Sequence, residues 1–168
     1  MNDDTLLNRR HWPRWVHASI ATYMKAVGKT EKVPTLISGV EDRTTEFDKQ
    51  PDKVEIRVNG PHIYEPSKNY FRGEVAINVL ITSNMGECKD RYFHDRILGF
   101  FYEALDEKIP IIRCGPDPDI DTDEQLACLC LQNDSERDAI RMFRIDSADT
   151  NDRVRQAMLT ASYNVEFS

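Results

Sequence analysis

The longest strand signal in the chain lies at residues 70–83, YFRGEVAINVLITS. Val75, Ile77, Val79 and Ile81 fall on one face of an extended backbone and are all β-branched. Glu74, Ala76, Asn78, Leu80 and Thr82 fall on the other. Successive side chains leave a pleated backbone on opposite sides, so this period of two specifies a half-buried strand. At about 3.3 Å per residue the run reaches roughly 46 Å, long for a chain of 168 residues. Such a strand needs a partner. KVEIRVNG, residues 53–60, alternates Val54, Ile56 and Val58 with Glu55, Arg57 and Asn59, and Asn59-Gly60-Pro61 is expected to break it. The two runs predict an antiparallel hairpin whose outer end projects from the body. Ile63, Tyr64, Tyr70 and Phe71 surround its tip, PHIYEPSKN. Apolar groups on a projecting tip need another surface over them, which makes these four candidate subunit-interface residues. A tip folded back on its own domain is the other reading.

The remaining elements predict helices beside this hairpin. Trp12, Val16, Ile20, Tyr23 and Val27 recur at helical spacing over residues 12–27, with Pro13 tolerated in the first turn and Gly28 as the stop. Residues 34–52 read as a weak strand or loop. A second helix over 88–106 carries a wide stripe of Phe93, Ile97, Leu98, Phe100, Phe101, Ala104 and Leu105. KIPIIRCG predicts an edge strand, QLACLCLQ a buried strand and AIRMFRI a further strand. In the last run Ala157, Leu159, Ala161, Tyr163, Val165 and Phe167 alternate with polar residues. The order gives one α+β domain over 1–168, a mainly antiparallel sheet with a long hairpin packed against two helices.

Charge excludes some functions. The chain carries a net −7, which argues against a grip on nucleic acid through phosphates. Five of the acids, Asp117, Asp119, Asp121, Asp123 and Glu124, stand in DPDIDTDE, leaving −2 for the rest; the first 32 residues sum to +3. The acidic run forms a candidate lumen-facing or partner-facing patch. Arg141, Arg144, Arg153 and Arg155 alternate with acids, and residues 136–155 sum to zero. That pattern suits a salt-bridged subunit interface better than a phosphate track. No stretch approaches the roughly 20 apolar residues of a membrane span, and the start shows no apolar core of a signal peptide. Synthesis in a reducing cytoplasm is expected, with Cys128 and Cys130 as small hydrophobes on one strand face.

Catalytic chemistry finds no motif. An EF-hand counted from Asp119 needs Gly and Glu where Glu124 and Cys130 stand. His11, His17, His62 and His94 form no HxxxH pattern, and no P-loop, GxSxG or GxGxxG is present. Asp90 and His94 are one helical turn apart, a spacing that reads as a surface ion pair without a nucleophile. No cofactor, metal or enzymatic activity is expected.

This order, an N-terminal helix, the hairpin VEIRVNG to YFRGEVAINVLITS, the helix DRYFHDRILGFFYEAL and the closing AMLTASYNVEF, resembles the tail terminator and head–tail joining (neck) proteins of tailed bacteriophages over roughly residues 10–167. The resemblance implies a structural virion protein made in the host cytoplasm. Its copies would form a homo-oligomeric ring, commonly hexameric, that caps the tail tube and meets neck or connector proteins. Six copies at −7 would carry −42, and DNA would slide through without specific binding. A tail tube or tube-initiator subunit is the main alternative, and a small cytosolic enzyme around Asp90, His94 and the 117–124 acids the second.

Overall fold

Residues 11–84, 92–113, 124–132, 139–145 and 154–167 are described in the computed structural model. In chain order the elements are α1 (Trp12–Thr30), β1 (Thr35–Ile37), α2 (Thr45–Lys49), β2 (Asp52–Ser67), β3 (Tyr70–Asn84), α3 (Phe93–Asp106), β4 (Ile109–Ile112), β5 (Gln125–Leu131), β6 (Ile140–Ile145) and β7 (Val154–Phe167). The strands form one curled sheet in the order β1-β2-β3-β7-β5-β4, with β6 also on β7. Only β1 and β2 run parallel; every other described pair is antiparallel. The fold is α+β, as the alternation predicts.

The two strongest alternations pair with each other. β3 and β7 run in register from Phe71↔Phe167 to Asn84↔Val154. Val75, Ile77, Val79 and Ile81 on β3 share a buried face with Ala157, Leu159, Ala161, Tyr163 and Val165 on β7. Over that face lie Trp15, Val16, Ile20 and Met24 of α1 and Ile97, Leu98, Phe101 and Leu105 of α3, in one continuous core. Tyr163 donates its phenolic hydrogen to the Leu105 carbonyl at 2.6 Å, and Tyr23 donates to the Ala104 carbonyl at 2.9 Å. These bonds seat the C-terminal turn of α3 on both the sheet and α1. Burial pushes both phenols up in pKa, with Glu107 adding to the effect at Tyr23.

Several sequence expectations are corrected. α1 continues past Gly28 to Thr30. Gly28 serves close approach instead, because a Cβ there would stand 1.9 Å from Thr35 Oγ1 on β1. Residues 34–52 hold β1 and α2, the latter started by Thr44, whose Oγ1 accepts from the Phe47 N–H at 3.2 Å. Asn59-Gly60-Pro61 does not end the strand. β2 runs through it with a register shift between Asn59 and His62, and Gly60 supplies a φ of +102° that a side chain would strain. The His17 ring also meets the Gly60 carbonyl oxygen.

The hairpin does not project as two bare strands. β7 flanks β3 up to Phe71. β5 is not a buried strand either: only Leu129 is buried, Cys128 is half-buried and Cys130 is exposed. Its ladder with β7 covers only Cys130 and Leu131. Residues 88–91 of the second expected helix lie outside the described residues.

Candidate subunit interface

β6 reads IRMFRI and does not alternate, so it places apolar groups on both sides of the sheet. Its register on β7 assigns the sides. Ile140, Met142 and Arg144 stand opposite Ala161, Leu159 and Ala157 and share their helix-covered face. Arg141, Phe143 and Ile145 stand opposite Thr160, Met158 and Gln156 on the other face. Ile140 is buried, but Met142, Phe143 and Ile145 are 48%, 47% and 43% exposed. On the far face Leu80, Met158 and Phe143 continue one cross-strand row that runs from Leu36 of β1 through Glu55. Glu55 itself is held by Arg43 and Arg57. Burial opposes its charge, and the two guanidinium partners outweigh that and lower its pKa.

Among the described residues no strand pairs the outer edge of β6. The outer edge of β2 beyond β1 carries Pro61 and Pro66, which remove donors and blunt it. β6 carries no proline. The edge is basic. Arg141, Arg144 and Arg155 are all exposed, and Arg144 Nη2 reaches Asp95 Oδ1 of α3 at 3.6 Å. Arg141 and Arg155 make no ion pair among the described residues. Behind the edge His94 is 4% exposed, with Nδ1 3.2 Å from Ser83 Oγ. Burial lowers its pKa; Arg144 and Arg155 lower it further, against Asp95 and Asp52. The expected Asp90–His94 surface pair is corrected in part: His94 faces the interior and Ser83, and Asp90 lies outside the described residues.

The tip residues are bound into their own chain. Phe71 is 7% exposed and packs edge-on against Trp12, which overturns its reading as an uncovered interface group. Ile63 is half-buried against the core. The Tyr64 hydroxyl donates to Glu74 at 3.2 Å. Tyr70 is half-buried, and its hydrogen bond with Glu166 raises its pKa. Of the acidic patch, Glu124 is exposed and pairs with Arg113 at 3.3 Å. Asp117, Asp119, Asp121, Asp123 and Arg153 lie outside the described residues.

Sequence reasoning missed a second surface. α1 and α3 enclose a groove of about 320 Å³ whose apolar floor includes Val27, Phe100 and Ala104, rimmed by Glu31, Glu103 and Glu107. Phe100, expected in the buried stripe, is 39% exposed here. None of the three rim carboxylates pairs with a base among the described residues. Glu103, Asp106 and Glu107 crowd the C-terminal end of α3, whose last turn holds no base. Acids there oppose the helix dipole at a cost of about 0.3–1 kcal/mol each. The sequence shows this acidic helix end, but not the groove that it rims. The described residues hold no group of three His, Cys, Asp or Glu placed to ligate a metal ion, and no described helix is long and apolar enough to cross a membrane.

No family model and no curated protein matches the sequence. A solved structure that bears no functional name shares the fold, with a TM-score of 0.51 over 92% of this chain and 96% of its own, at 9% identity.

Proposed function

We propose that this chain is a ring-forming structural subunit of a tailed bacteriophage, a tail terminator or head–tail joining protein that caps the tail tube and joins it to the head connector. The β6 edge supports the reading most. Among the described residues it is an unpaired strand edge bearing three exposed large apolar side chains, a surface that invites a second chain. Contacts between two different patches of identical copies close into a ring when the rotation between copies closes. The protein then acts by its shape, as a virion component through which DNA passes unread.

Native mass spectrometry and negative-stain imaging of the full chain test this. The expected species is a ring closed by the rotation between copies, of about six copies as the resemblance to tail terminators implies, and Phe143→Glu is expected to dissociate it. Open-ended tubes would replace this reading with that of a tube subunit. A monomer that also fails to close on isolated tail ends would overturn assembly as the function.

A further inference from the structure

The β6 edge and the acid-rimmed groove lie at opposite ends of one helix. Arg144 of β6 meets Asp95 in the first turn of α3. Glu103, Ala104 and Glu107, at the other end of α3, line the groove. A 14-residue helix holds these ends about 20 Å apart. The two surfaces match in kind and oppose in charge. β6 offers Phe143 and Arg141 on its far face and Met142 on the other, where Arg155 of the adjoining β7 also stands. The groove offers Val27, Phe100 and Ala104 with Glu31, Glu103 and Glu107. Within one molecule α3 keeps them from meeting.

We infer that the β6 edge of one copy docks on the α1–α3 groove of the next, Phe143 entering the apolar floor and Arg141 answering the glutamate rim. This rests on the reading of the chain as a self-assembling subunit and names the surface that β6 meets. The occupant is a second copy because the complementary patch is carried by the same chain. Two β6 edges set against each other would instead crowd Arg141 and Arg144 of both copies onto one seam, where like charges repel. The acids at the end of α3, unfavourable for the isolated helix, gain basic partners in this contact. Two different patches make the contact head-to-tail, the type that propagates around a ring.

The test is a charge swap in the full chain. Arg141→Glu/Arg155→Glu and Glu103→Arg/Glu107→Arg are each expected to weaken assembly at least tenfold, read by native mass spectrometry across a dilution series. All four substitutions together are expected to restore it. Each changed side chain is exposed, and circular dichroism confirms that every variant folds. Wild-type assembly in Glu103→Arg/Glu107→Arg would overturn the inference. If Phe143→Glu still breaks the ring in that case, β6 stands as an interface and only its partner surface is wrong. A wild-type chain that never assembles overturns both.

Discussion

The indole of Trp12 meets the ring of Phe71 edge-on, with centroids 5.4 Å apart and planes at 63°. The contact fastens the start of α1 to the outer end of β3, beside the hairpin tip. Phe71→Ala is expected to destabilise the chain by about 3–5 kcal/mol, the usual cost of emptying a buried aromatic site. Urea denaturation reads this directly. A loss below about 1 kcal/mol would mean that the tip is not anchored here.

Tyr163 joins the middle of the sheet to the end of α3 through a single buried bond to the Leu105 carbonyl. Tyr163→Phe keeps the ring and removes the donor, leaving that carbonyl unpaired. The expected loss is about 1–3 kcal/mol, measured as a lower urea midpoint at unchanged slope. An unchanged midpoint would show that water replaces the hydroxyl.

Buried His94 should make the fold sensitive to mild acid. Its folded pKa lies below the ordinary 6.5, so the unfolded chain takes up this proton first. Its contribution is fully present above about pH 6.5 and is lost as pH falls through the folded value. Unfolding free energies at pH 7.5 and 5 should therefore differ more in wild type than in His94→Gln. Equal differences would remove this ring as the source.

Gly28→Ala should cost about 1–3 kcal/mol, the range for overpacking a filled site. The added Cβ would lie 1.9 Å from Thr35 Oγ1 and 2.8 Å from Thr35 Cβ, forcing α1 away from β1. Thermal unfolding of the variant checks this, and an unchanged midpoint would show that β1 yields freely.

Strands with strong alternation were legible residue by residue. The inward side of β3 from Val75 to Ile81 and that of β7 from Ala157 to Val165 are the buried faces. Burial of one sheet face imposes that pattern directly. The break at Asn59-Gly60-Pro61 was misread because a bulge uses the same residues as a turn, and only the register with Glu74 and Ala76 tells them apart. Phe71 looked like a tip residue because sequence spacing does not reveal that Trp12 lies over it. The exposure of Arg141 and Arg144 on β6 was readable from their charge. The groove was not, since Phe100 looks like any stripe residue until Val27 of α1 is placed beside it.

The strand at the centre of the sheet, β7, is also the last of the described elements in chain order. Both strands of the β2–β3 hairpin and of the β4–β5 pair precede β7 in the chain, and β6 pairs with no other described strand. Pairings of such long sequence separation form late. The β6 edge therefore takes shape only after β7 has been made and paired, so Met142 and Phe143 are set in place by a late-forming ladder of the described sheet.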